Sequence, residues 1–164
     1  MSDVFDAVRR GYTELETSSN EEIIAYFDSV DEESIAGHVS NIKGIYFEQV
    51  YVESLEEQGI SASLFEETNH PVVDISIDDD ELYGDFQLKA TDSVSYINDT
   101  LETNPDVPVI ATSEVAANFD SEMVIDSGIS NEALESEVVS EVIGESINPI
   151  GIGSIIGLFC GLPF

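Results

Sequence analysis

Val72-Val73-Asp74-Ile75-Ser76-Ile77, the acidic run Asp78-Asp79-Asp80-Glu81, and Tyr83-Gly84-Asp85-Phe86-Gln87-Leu88-Lys89-Ala90 form the stretch on which the fold turns. The first run is rich in β-branched residues. The last places Phe86, Leu88 and Ala90 on one side of an extended chain, and the acids between them read as a solvated turn. Together they predict a β-hairpin. With the turn centred between Asp80 and Glu81, facing positions sum to 161, which sets Asp74 opposite Gln87. Side chains alternate along a strand, so Lys89 shares the face of Gln87. The hairpin thus carries three polar side chains, Asp74, Gln87 and Lys89, on one face.

Upstream, residues 3–16 and 21–29 read as two short helices, the second with Asn20 as its cap and acids in its first turn. Asp31 can cap a longer helix to about Gln58, stopped by Gly59. Ile60–Glu66 alternates weakly and reads as a strand ahead of the hairpin. Downstream, Asp92 or Ser93 caps a helix to Thr103, Asn104-Pro105 breaks it, and Val107–Ala111 is a buried strand. A short helix (Glu114–Asn118), a strand (Met123–Ile125) and a helix capped by Asn131 follow. The expected organisation is N-terminal helices over 1–30, a core over 31–126, an acidic helix over 127–147 and an apolar tail over 148–164. The fold class this predicts is α/β (α+β), with the order helix, three strands, helix, strand.

At 164 residues and 42% hydrophobic content, the chain can bury a core, which excludes wholesale disorder. Its charge is extreme: 35 acidic residues face four basic ones (Arg9, Arg10, Lys43, Lys89), a formal net charge of −31. Spread through well-patterned segments, those acids read as the coat of a folded protein in a salt-rich, halophilic cytoplasm. At molar salt the Debye length is about 3 Å, and the coat's self-repulsion is largely screened. There is no basic patch to attract phosphate in bulk. Cys160 is the lone cysteine, which excludes a disulfide framework and a thiolate zinc site. The N-terminus has no long apolar run, so it does not read as a secretory signal, and a cytoplasmic globular part is expected.

The tail Asn148–Phe164 (NPIGIGSIIGLFCGLPF) carries no charge. Gly153, Gly157 and Gly161 recur every four residues, a double GxxxG that lines one helix face. Its roughly 15 apolar residues would reach about 22 Å as a helix, short of a ~30 Å hydrocarbon core. Membrane contact, homo-oligomerisation and a plain buried C-terminal segment all remain open readings.

On the long helix, Glu48 shares a stripe with Gly44, Ile45, Tyr51, Val52 and Leu55. A carboxylate within an apolar stripe needs a partner, and the hairpin trio is the expected one. Asp74, an amide oxygen and a helix Glu are hard oxygen donors suited to Mg²⁺ or Mn²⁺. Beside them, Lys89 can position an attacking water and stabilise charge developing on a phosphate. The bland alternative is a buried ion-pair network of Asp74, Glu48 and Lys89 that specifies the core alone. His38 and His70 read as structural or exposed, with His70 a candidate for the rim.

The residues Tyr46-Phe47-Glu48, then Asn69-His70-Pro71-Val72-Val73-Asp74, then Phe86-Gln87-Leu88-Lys89 resemble the PD-(D/E)xK nuclease superfamily, which includes restriction enzymes and Holliday-junction resolvases. The resemblance covers about residues 32–112. It implies a restriction-endonuclease-like αβββαβ core and metal-dependent hydrolysis of DNA. It further implies Asp74 as main metal ligand, Glu48 as accessory ligand, Gln87 as a weaker ligand, Lys89 as the catalytic lysine and Ser93 as a phosphate contact. Two departures stand out: Gln87 is neutral, and no basic surface is available to hold a duplex. Some superfamily members kept the fold and lost cleavage, so a non-catalytic scaffold or a structural assembly protein using the tail is the alternative expectation.

Overall fold

The computed structural model describes residues 3–65 and 72–144. His70 and the apolar tail with its glycines and Cys160 lie outside the described residues. In chain order the elements are α1 (Val4–Gly11), α2 (Asn20–Asp28), α3 (Glu32–Glu57), β1 (Ser61–Leu64), β2 (Ile75–Asp78), β3 (Tyr83–Lys89), α4 (Val94–Thr103), β4 (Val109–Ala111), α5 (Ser113–Ala116), β5 (Val124–Asp126) and α6 (Asn131–Val138). Among the described residues this is a mixed α/β protein with six α-helices and an open, mixed five-stranded sheet. It divides into two compact units, Phe47–Asn131 and, from either side of it, Asp3–Tyr46 with 132–144. The division falls within α3, between Tyr46 and Phe47.

The helical unit is built on caps and an aromatic core. Asp3 closes the start of α1, its Oδ1 accepting from Asp6 N at 2.9 Å. Ser19, not Asn20, caps α2, its hydroxyl accepting from Glu22 N at 3.1 Å. Both residue types cap well; Ser19 holds the extended backbone a cap needs, and Asn20 instead accepts a hydrogen bond from Arg9. The expected first helix is also shorter: it ends at Gly11, and a 3-10 turn follows at Thr13–Leu15. Phe27 is fully buried, with Tyr12 and Tyr26 edge-on at 5.5 and 5.0 Å. His38 lies 5.4 Å from the Phe27 ring, and its Nδ1 is 2.7 Å from the Tyr12 hydroxyl. It is a structural histidine. Lys43 is buried and paired with Glu135 at 3.1 Å.

In the sheet unit, α3 ends in a Schellman motif around Gly59, whose φ is +78°. Ile60 N donates to Leu55 O and Gly59 N to Glu56 O, a closure that favours glycine at the left-handed position. The sheet order is β1-β2-β3-β4-β5, antiparallel from β1 to β3 and parallel from β3 to β5. The hairpin has the expected register: Ile75 faces Phe86 and Asp78 faces Tyr83. Its turn is an Asx turn, with Glu81 N donating to Asp79 Oδ2 at 3.2 Å.

β2 is shorter than the run Val72–Ile77 suggested, for a reason that bears on the site. Where the ladder would continue, Leu88 N donates to the Asp74 carboxylate, Oδ2 at 2.8 Å, and not to a strand carbonyl. β4 likewise begins two residues late. Val107 N is spent on Asn104 O in the turn after α4, and Pro108 has no N–H to give. The middle of the sheet is covered on both faces: Phe86, Gln87 and Leu88 are all buried, as are Val109, Ile110 and Ala111. Val109 and Ala111 pack with Ile97 of α4 and with Val115 and Ala116 of α5. Each such fully buried aliphatic side chain contributes about 1.5–3 kcal/mol.

Candidate active site

The register fixes which face the candidate residues share. Gln87 pairs with Val109 and Lys89 with Ala111 across the parallel β3–β4 ladder. Neighbours across a ladder project to the same side, so Gln87 and Lys89 lie on the face that α4 covers. Asp74 lies outside the ladder and is not paired with Gln87 in it as expected: its N–H donates to Phe86 O at 2.9 Å, and its carboxylate accepts from Leu88 N at the same end of the hairpin. The structure therefore brings Asp74, Gln87 and Lys89 to one end of β2–β3. Glu48 is half-buried on α3, in the stripe that includes the buried Tyr51 and Leu55. Burial pushes the Tyr51 phenol above its ordinary value.

Each candidate has a distinct environment. Gln87 is 7% exposed, and its side-chain Oε1 is buried without a hydrogen-bond partner among the described residues. An orphaned buried amide oxygen costs roughly 1–3 kcal/mol; Gln49 Oε1 and Asn131 Oδ1 are buried without a partner in the same way. Lys89 is half-buried. Its Nζ donates to the Tyr96 hydroxyl at 3.2 Å and stands 5.3 Å from the centre of the Tyr96 ring. Among the described residues it forms no ion pair, so its partner is an aromatic ring where a carboxylate network was one expectation. It is also the only Lys or Arg between 47 and 131.

Ser93 serves as the α4 cap, its hydroxyl accepting from Tyr96 N at 3.2 Å and lying 3.2 Å from Ser95 Oγ. That fulfils the expected helix start and commits the hydroxyl's acceptor role locally. The link from β3 into α4 is clamped by the fully buried Thr112, whose Oγ1 donates to Thr91 O at 3.0 Å and accepts from Thr91 N at 3.3 Å. Thr112 N in turn donates to Lys89 O at 3.3 Å. The backbone that carries Lys89 and launches α4 is thus held at both ends.

Tyr96 and Thr112 were missed by sequence reasoning. The signal for Tyr96 was available: it stands three residues past the cap, on the first turn of the helix that returns over Lys89. Thr112 gives no local signal, since its partner is 21 residues away.

The donor set fits a hard divalent cation in kind. It is all oxygen, with two carboxylates (Glu48, Asp74) and the unpaired Gln87 Oε1. Among the described residues no three His, Cys, Asp or Glu side chains gather as a metal-binding group. Among the described residues, too, no helix is long and apolar enough to cross a membrane. Comparison with known proteins returns no match to any family model, curated protein or solved structure.

Proposed function

We propose that the Phe47–Asn131 unit is a restriction-endonuclease-like module that hydrolyses phosphodiester bonds in DNA with the help of Mg²⁺ or Mn²⁺. The observation that carries the reading is the end of the β2–β3 hairpin. There Asp74, a buried Gln87 with an unpaired oxygen and the unit's single lysine share one strand end, within the order α3, β1, β2, β3, α4, β4. Asp74, Glu48 and Gln87 would hold the metal, which when bound supplies Lewis-acid stabilisation of phosphate charge and a more acidic water. Lys89 places a full positive charge where negative charge grows on the phosphate, and can orient the attacking water. The oxygen donors select a hard cation.

A second reading has a specific observation in its favour. Asp74 Oδ2 already serves as the acceptor for Leu88 N, the role of a strand carbonyl. Together with a neutral Gln87 and an acid-dominated surface, this suits a nuclease-fold scaffold that binds without cutting, with the tail 148–164 supplying membrane contact or self-association. One experiment separates the two. Supercoiled, linear and single-stranded DNA are incubated with the full chain at high KCl, with Mg²⁺, Mn²⁺ or EDTA, beside Lys89→Ala. Cleavage that needs metal and disappears in a folded Lys89→Ala chain supports the enzyme. No cleavage of any substrate, with no metal-induced rise in Tm, sinks it in favour of the scaffold. In that case a change of oligomeric state or vesicle binding on removing 148–164 identifies what the tail does.

A further inference from the structure

We propose that Tyr96 is a positioning residue that holds the ammonium of Lys89 at the candidate site. The inference deepens the nuclease reading and rests on it. Lysine carries its charge on a flexible four-carbon stem, and fixing it costs rotamer entropy. In this chain the expected restraint would be a carboxylate, since acids outnumber bases 35 to four. In the helical unit Lys43 meets Glu135 at 3.1 Å, and Arg9 meets Asp6 at 3.2 Å beside the neutral Ser18 O and Asn20 Oδ1.

Lys89 is treated differently. Its Nζ is held by the Tyr96 hydroxyl at 3.2 Å with the ring centre 5.3 Å away, a hydrogen bond to the phenol oxygen of a neutral side chain. A carboxylate partner would cancel the charge an incoming phosphate needs to meet. A phenol restrains the ammonium without neutralising it, and among the described residues two of its three donors have no partner. Tyr96 is itself well placed to restrain something. It stands on the first turn of α4, where Ser93 caps its own backbone N–H, and the strand-to-helix link beneath is clamped by Thr112. Yet the residue is 47% exposed, more than core packing alone would leave an aromatic ring.

The chain contains two lysines, which makes the test clean. Full-length protein labelled only at lysine with ¹³C and ¹⁵N gives one set of NMR side-chain signals for Lys89 and one for Lys43, the built-in control. Tyr96→Phe keeps the ring and removes the hydroxyl; Tyr96→Leu removes both. The expected result is a ring-current shift of the Lys89 ε-methylene that persists in Tyr96→Phe and is lost in Tyr96→Leu, with Lys43 signals unmoved. On cleaved DNA, kcat falls about five-fold in Tyr96→Phe, the worth of one net hydrogen bond. It falls about five-fold in Tyr96→Leu as well, with KM nearly constant, because the ring itself adds little at an exposed site. Lys89 signals identical in wild type and Tyr96→Leu would overturn the proposal by showing that the ring does not hold the ammonium. So would a lost shift with kcat unchanged, which leaves the nuclease reading standing. A wild-type chain that cleaves nothing under any metal overturns the nuclease reading, and the positioning role falls with it.

Discussion

The helical unit and the sheet unit solve the same problem, a scarce cation in an acid-rich chain, in opposite ways. In the helical unit Lys43 is buried and closed off by Glu135. In the sheet unit Lys89 is half-buried, meets an aromatic ring and forms no ion pair among the described residues. The first arrangement spends the charge on folding. The second leaves it beside a neutral phenol, at the end of β3 that also carries Gln87. Where acids are this abundant, the choice of a neutral partner is more informative than the presence of a lysine.

The largest expected effect tests the closed pair. Lys43→Ala leaves Glu135, whose side chain is 18% exposed, without its counter-ion. Breaking a pair of this kind costs about 3 kcal/mol, read as a lower urea midpoint at fixed KCl. The double variant Lys43→Met with Glu135→Leu recovers most of that loss, because two well-packed apolar groups leave no charge stranded. A single variant as stable as wild type would erase the contrast between the two lysines.

Next comes Asp74, where structural and chemical roles can be pulled apart. Asp74→Ala strands the N–H of the buried Leu88 and costs about 2 kcal/mol. Asp74→Asn keeps an acceptor oxygen in place, so its stability stays within about 0.5 kcal/mol of wild type. If Asp74 also holds metal, both variants lose any Mg²⁺- or Mn²⁺-induced rise in Tm. Equal losses of stability in Asn and Ala would mean that the strand-end acceptor role is not what the carboxylate does.

How much of this could be read from the chain itself follows the range of the interactions. The hairpin register was legible for Ile75–Asp78 against Tyr83–Phe86, because alternation and an acidic turn are local; it did not extend to Asp74, whose N–H donates to Phe86 O where Gln87 was the expected partner. Helix ends were legible wherever a cap or a glycine stood beside them, as at Ser93 and Gly59, and ambiguous where Ser19 and Asn20 competed. The start of β2 was not legible. It depends on a side chain replacing a carbonyl across the hairpin, which no propensity records. The candidate trio was visible as a pattern, whereas the partner of Lys89 was not, because a helix had to return over the strand before Tyr96 could reach it.

A smaller effect separates the open lysine from a buried ion-pair core. Lys89→Ala removes one hydrogen bond at a partly exposed site, about 1 kcal/mol or less. A stranded buried charge in its place would cost about 3–5 kcal/mol. Chemical denaturation of the two alanine variants side by side makes the comparison direct: Lys43→Ala is expected to fall well below Lys89→Ala. The reverse order would mean that Lys89 is the structural lysine and would remove the ground for assigning it a chemical role.

The smallest effect is absent at neutral pH and appears only in alkali. Tyr12 in the helical unit and Tyr51 in the sheet unit both have phenols raised above the ordinary value of 10.0. For Tyr12, burial dominates and a hydrogen bond with Asn41 works against it; for Tyr51, burial alone is the cause. A raised phenol means that the folded state keeps its proton after the unfolded chain has released it. Stability is then unaffected by the group below about pH 10 and declines as pH rises from there through the folded value. Tyr51→Phe removes the group that must be ionised inside the core, so its urea midpoint falls less steeply above about pH 10 than that of wild type. Tyr12→Phe shows the same flattening, offset by the loss of the 2.7 Å contact with His38 at every pH. The chain has no tryptophan, so tyrosinate absorbance follows the titration in the same samples. An alkaline decline as steep in Tyr51→Phe as in wild type would place the sensitivity elsewhere, among groups whose burial differs between the two units for other reasons.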